Sequence, residues 1–228
     1  MIYQALIPGL GPLLLSLQLA AFTVVGLLLF GTPLAWWLAH SQSRFKPLFE
    51  AVIAMPLVLP PTVLGFYLLV LLGPNGLIGA PWVALTGDAL TFSFSGLVIA
   101  SMVYSLPFVV QPIQNAFEAT GKHPIETART LGASPLDAFF TVGIPLASRG
   151  FLTAGVLGFA HTLGEFGVVL MVGGNIPEQT RVISIAIYDH VETLDYAFAH
   201  TLSASLVVFA FVLLVLVYTF NRRWRMIR

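Results

Sequence analysis

The chain contains no cysteine, and only 9% of its 228 residues are charged. Without cysteine there are no disulfides, no thiolate metal sites and no cysteine nucleophile. Soluble domains carry about 25% charged residues, so this sequence falls outside their class. Ten basic and ten acidic side chains cancel, which leaves no excess charge to attract nucleic acid. No metal site is expected. No Gly-x-x-x-x-Gly-Lys-Ser/Thr phosphate loop occurs, so no nucleotide site is expected either. The glycine-rich run Gly73-Pro-Asn-Gly-Leu-Ile-Gly79 has no lysine and reads as an external turn. No Lys or Arg precedes the first apolar run, which continues to about Ala39. A cleaved signal would have a basic start and a short apolar core, so a retained membrane span is predicted.

What the chain does have is hydrophobicity: 57% apolar residues and a mean hydropathy of +0.92. Five segments reach the roughly 20 apolar residues that a span needs, at about 12–39, 48–72, 93–113, 150–173 and 197–220. One all-α membrane domain over 1–228 is expected, without internal repeats. Arg44 and Lys46, then Lys122, Arg129 and Arg149, then Arg222, Arg223, Arg225 and Arg228 fall in alternate loops and the tail. The other loops hold only Arg181, beside Glu178, Asp189, Glu192 and Asp195. The positive-inside rule then puts the N-terminus outside and the C-terminus in the cytoplasm. Four or six spans would scatter the basic residues over both sides.

Loop 114–149 carries local helix signals. Pro124 suits a first turn, where its missing N–H would be unpaired anyway. Gly132 suits the left-handed residue that ends a helix. Ser134-Pro135-Leu136-Asp137 reads as a second start, with serine as N-cap and aspartate near the positive end of the dipole. Phe139, Phe140 and Val142 supply an apolar face, and Pro145 ends the segment. Two short helices about a glycine elbow form either a rigid docking knob or an interfacial segment lying on lipid headgroups.

Glu126, Ala128, Gly132, Val142, Ile144 and Pro145 resemble, in type and spacing, the coupling motif of ATP-binding-cassette importer permeases. The family pattern is Glu-Ala-Ala, then Gly, then Ile-x-Leu-Pro, from which Thr127, Val142 and Ile144 depart. The resemblance implies that these residues insert into a cleft on a separate ATPase. ATP and Mg²⁺ would be bound by that partner, with no cofactor in this chain, which would itself be no enzyme.

Three further stretches concern the path through the membrane. Pro60 and Pro61 remove two amide donors inside the second span, so its helix should kink or unwind. That break is either a packing kink or backbone facing a water-filled cavity. His161 and Glu165 lie in the fourth span, where an ionisable residue marks a functional site by default. Four residues apart, they would share a helix face, where they could pair and partly offset burial. A carboxylate is a poor ligand for an anion, so Glu165 is expected to gate, to carry a proton or to hold structure. Gly173–Asp189 forms an outer loop in which Asn175, Pro177 and Arg181 are candidates for docking a substrate-delivering protein. Arg181 is either solvated or an attractant for an oxyanion or an acidic patch.

Pro56-Leu-Val-Leu-Pro-Pro-Thr-Val-Leu-Gly65, Ser105-Leu-Pro-Phe-Val109, Leu163-Gly-Glu-Phe-Gly167 and Gly174-Asn-Ile-Pro177 together resemble the molybdate permease branch of that family. Sulfate/thiosulfate and tungstate permeases are its nearest relatives. Glu178 stands where the branch has glycine. The resemblance implies a type I importer fold in a prokaryotic inner membrane, two ATPase subunits, an extracytoplasmic substrate-binding protein and a lipid surround. Five spans are too few to enclose a hydrated dianion, which predicts a homodimer with its pore on the two-fold axis. Pore or gate candidates are Pro60, Pro61, Thr62, His161, Thr162, Gly164 and Glu165. The hydroxyls of Thr62, Ser101, Ser105 and Thr162 are candidate donors to the anion. A proton-coupled secondary transporter using His161 and Glu165, or a non-transporting anchor, are the rival readings. Reporter fusions after Ser43 and after Glu178 are expected to localise inside and outside respectively, and the reverse result would overturn the orientation.

Overall fold

Lipid offers no hydrogen bonds, so a spanning backbone must pair its own polar groups, and a helix does this locally. The computed structural model describes residues 10–226. The basic-poor start before Leu10, Arg228, and the side chains of Arg222, Arg223 and Arg225 lie outside that description. In chain order the helices are α1 (Leu10–His40), α2 (Lys46–Val58), α3 (Pro61–Leu72), α4 (Gly79–Thr86) and α5 (Phe94–Thr120). A knob follows, made of α6 (His123–Thr130), α7 (Pro135–Ala138), a π-helical turn (Phe139–Gly143) and α8 (Ile144–Leu146). Then come α9 (Ser148–Leu163), α10 (Gly167–Gly173), α11 (Ile183–Glu192) and α12 (Tyr196–Met226).

Among the described residues, only α1, α5 and α12 are long and apolar enough to cross a membrane alone. The second span is broken: α2 and α3 are bent by 114° around Leu59 and Pro60. Both halves nevertheless travel the same way along α5. Lys46 and Glu50 reach Glu118 and Gln114, whereas Leu64 and Leu68 share a cluster with Tyr104 and Ala100. The pair therefore traverses once and does not turn back.

The fourth span, expected to be continuous over 150–173, is broken as well. Along α5, Gly150 packs at Ala116, Gly158 at Val109, Thr162 at Ser105, and Gly173 at Leu97. Between Leu163 and Gly167 the helix is interrupted. Glycines flank this gap, and Ser184 Oγ donates to the Glu165 carbonyl at 2.6 Å, replacing the donor that a continuing helix would supply. A 70° bend at Ala147 separates α9 from the knob.

Two boundaries differ from expectation. Helix α5 runs to Thr120, so the polar loop begins at Gly121 rather than 114, and α9 starts at Ser148 rather than 150. Gln114 and Glu118 extend the helix because α2 offers them partners. The short helices α4 and α11 were not foreseen. Helix α11 is pinned to α1, where the Ile183 N–H donates to Ser16 Oγ at 2.7 Å.

Helix α5 is the axis of the bundle and touches α1, α2, α3, α9 and α10. Helix α1 turns a stripe of Leu19, Thr23, Leu27, Gly31, Ala35 and Leu38 toward it, at helical spacing. The opposite side exposes Phe22, Val25, Leu29 and Phe30, as suits lipid. Helix approach within a membrane relies on small residues, and Gly150 is the sharpest case. A Cβ there would overlap that of Ala116 and sit 2.8 Å from the Pro112 carbonyl oxygen. Gly150→Leu is expected to destabilise the fold by about 1–3 kcal/mol, read as a lower thermal midpoint in detergent. An unchanged midpoint would contradict the close α5–α9 packing.

Candidate functional site

The two broken spans break next to one another. Gly167, just past the second gap, sits against Pro61 at the first; a Cβ on it would lie 2.8 Å from the Pro61 Cβ. A groove of about 580 Å³ opens there, lined among others by Pro61, Thr62, Tyr104, His161, Gly164 and Glu165. Pro60 caps α3 from the exposed side of the same break. Neither proline has an N–H, so Thr62 supplies the first backbone donor of α3, at the positive end of that helix. Its exposed hydroxyl lies beside it.

The other hydroxyls proposed for an anion are buried away from the groove. Ser105 Oγ lies 3.0 Å from Thr162 Oγ1 and 2.9 Å from His161 Nδ1, and both hydroxyl residues are buried. Ser101 is wholly buried. Of the four hydroxyl candidates, only Thr62 is open to the groove.

The expected His161–Glu165 pair does not form. The i,i+4 relation holds only within one helix, and α9 ends between the two residues. His161 instead stacks on Phe108, with ring centroids 3.9 Å apart, and turns Nδ1 to Ser105. The Glu165 side chain is 4% exposed, and neither carboxyl oxygen has a hydrogen-bond partner among the described residues. Leaving such a group unpaired costs about 1–3 kcal/mol. Its position, beside Ser101 and Tyr104 at the break, makes it the most distinctive polar group of the groove.

At the far end, Arg181 is not a free cation. Its Nε donates to Asn175 Oδ1 at 2.6 Å, Asn175 donates in turn to Asp189, and the Arg181 guanidinium lies 3.9 Å from Asp189. Asn175 and Arg181 thus fasten the outer loop to α11, and Pro177 stays exposed. Glu178 has φ +66°, a region that glycine occupies freely and other residues at a cost of about 1–2 kcal/mol. The glycine of the resembled branch therefore has a backbone reason. Nearby, Tyr188 donates to Glu192 at 2.6 Å, which holds its phenol proton above the usual range.

The knob is built as its caps dictate. Pro124 lies in the first turn of α6, Gly132 has φ +99°, and Ser134 Oγ accepts from the Asp137 N–H at 3.2 Å. Trp36 of α1 anchors it, with ring centroids 4.8 Å from Phe117 and 4.9 Å from Phe139, and Gly143 against its edge. Glu126 and Pro145 are exposed; Ala128, Val142 and Ile144 are half-buried. Leu131, Leu136 and Phe140 are 84%, 71% and 61% exposed. The two leucines are not among the expected coupling residues, although large apolar residues flanking the elbow of a polar loop are the signal that marks them. Exposed apolar side chains on a polar element mark a surface that something covers.

A profile of the family described as binding-protein-dependent transport system inner membrane component matches residues 31–226. The molybdenum transport system permease protein ModB of Azotobacter vinelandii is 60% identical over 208 residues, covering 91% of this chain and 92% of its own. That of Escherichia coli (strain K12) is 40% identical over 180 residues, 79% of each chain. Among solved structures, a bacterial alginate ABC transporter in complex with alginate pentasaccharide-bound periplasmic protein gives a TM-score of 0.76 at 16% identity. That match spans 97% of this chain and 81% of the other, and it speaks for the fold. Glu165→Gln, which keeps the shape and removes the acid, is expected to leave the protein folded in detergent while lowering transport by about tenfold. Full transport in that variant would reduce Glu165 to packing.

Proposed function

This chain belongs to the inner-membrane components of binding-protein-dependent transport systems, and on that premise we propose that it is the permease subunit of an ATP-driven importer for molybdate. It is a multi-pass membrane protein with the helical fold of ABC transporter permeases. The observation that carries the transport reading is the meeting of two broken spans at one groove. Broken backbone inside a membrane is tolerated where it lines a cavity, and a bare anchor has no use for it. The likeness to molybdenum permeases and the outer-loop Asn-Ile-Pro element support molybdate over sulfate.

Two copies would form the pore, each contributing one groove. The knob, with Glu126, Ala128, Gly132, Val142, Ile144 and Pro145, would seat on a separate ATPase that holds ATP and Mg²⁺. The apolar tip formed by Leu131, Leu136 and Phe140 supports a covered surface of that kind. The loop around Asn175 and Pro177 would meet the binding protein outside, with the C-terminus in the cytoplasm. ATP binding would draw the knobs together and open the grooves outward; hydrolysis would reset them inward. In the groove, Thr62 offers a hydroxyl and an amide rather than a full charge, which permits release as well as capture. A proton-coupled transporter is disfavoured, since His161 is engaged by Ser105 and does not reach Glu165 as a relay.

The test is reconstitution in proteoliposomes with the ATPase and the binding protein. Uptake of molybdate is expected to require ATP hydrolysis and to be competed by tungstate more strongly than by sulfate. Uptake that proceeds without the ATPase would move the chain to the secondary transporters. Preference for sulfate would change the cargo.

A further inference from the structure

At the knob end, four polar side chains join α2 to α5. Lys46 Nζ donates to Glu118 Oε1 at 3.0 Å and lies 3.5 Å from Glu50 Oε1. Gln114 Nε2 donates to the same two oxygens, at 2.8 Å to Glu50 and 3.0 Å to Glu118. One ammonium and one amide thus bridge two carboxylates that would otherwise repel across the helix pair. An exposed ion pair alone is worth about 0–1 kcal/mol. Here the Gln114 amide is buried, while Lys46, Glu50 and Glu118 keep 25%, 39% and 40% of their side-chain surface exposed, and sharing the two acceptor oxygens ties the four side chains into one set.

The place of the network matters more than its strength. Helix α2 buries only Ile53 and Pro56, so apolar packing alone holds it weakly to α5. Glu118 lies one turn before Gly121, whose φ of +69° turns the chain into the knob. At its other end, α2 leads straight to the Leu59–Pro60 break that borders the groove. A displaced knob pulls first on the end of α5. Without a stiff tie, that pull would slide past α2.

We propose that Lys46, Glu50, Gln114 and Glu118 form a strut that makes the knob end of α5 and the broken span α2–α3 move as one body. They are positioning residues: they carry motion to the groove and do not line it. The proposal rests on the importer reading, and it names the link by which that importer couples.

The test uses the complete complex with its ATPase and binding protein, and measures molybdate uptake and ATP hydrolysis in the same vesicles. Lys46→Met is expected to lower uptake per ATP by about fivefold while hydrolysis stays within about twofold of wild type. The charge-swapped pair Lys46→Glu with Glu118→Lys is expected to restore that ratio, which a merely lost packing contact would not allow. Should Lys46→Met fail to assemble, Gln114→Met, which removes both amide donors at similar volume, carries the same expectation. An unchanged ratio in the single variant overturns the strut, as does an assembled swap that restores nothing. A wild-type complex without ATP-dependent uptake would sink the importer reading itself, a separate outcome.

Discussion

A helix that stops inside a bilayer strands backbone groups that lipid cannot satisfy, and here two helices stop side by side. Each stop has to be repaired by protein. At the first, the Leu59 N–H returns to Met55 and the Val63 N–H closes on the Pro60 carbonyl. At the second, Gly164 returns to Ala160 and Ser184 takes the Glu165 carbonyl. The last of these repairs comes from α11, a helix of the outer loop. That helix is in turn held to α1 through Ser16 and to the loop through Asp189. The outer loop is therefore structural support for the groove as well as a candidate docking surface. Anything that shifted α11 from outside would act on the second break directly.

Helix α5 converts this local repair into a long-range arrangement. Its middle faces both breaks through Ser101, Tyr104 and Ser105, and its end becomes the knob. Two different interactions tie that end down. Trp36, Phe117 and Phe139 clamp the knob to α1 through ring contacts, which are apolar and broad. The Lys46–Gln114 bridge ties α5 to α2 through short, directional bonds. Hydrogen bonds are directional and fix register. The bridge therefore sets the position of that end of α5 along α2.

Much of this was legible in the sequence because lipid and helix ends impose strong local rules. The uninterrupted spans are long apolar runs, the Pro60–Pro61 break is written in the two missing amides, and the knob follows from Pro124, Gly132 and Ser134. The second break was not legible. Residues 150–173 are apolar nearly throughout, and Gly164 and Gly167 do not distinguish a gap from a tightly packed helix that also holds Gly155 and Gly158. The expected His161–Glu165 pair failed for the same reason, since it assumed a helix that had already ended. The end of α5 was misplaced because hydropathy falls at Gln111, Gln114 and Asn115, and the partners on α2 that keep this stretch helical are remote in sequence. Arg181 was read as a lone cation for a similar reason. Asn175 and Asp189 surround it only once α11 has folded back.

The proposed coupling element of this protein is easier to read than its transport path, and there is a physical cause. A coupling knob must be rigid and must fit a fixed cleft, so it needs caps, an elbow and exact spacing, all of which leave marks in sequence. A transport path must hold an anion weakly enough to let it go. It therefore favours neutral donors such as a backbone N–H or a single hydroxyl over lysine or arginine. Among the four hydroxyls considered, the one left open to the groove is Thr62, at the start of a helix freed by two prolines. A threonine is unremarkable in any membrane helix. Only the break beside it, and the Glu165 carboxyl lining the same groove without a partner among the described residues, turn it into a candidate site.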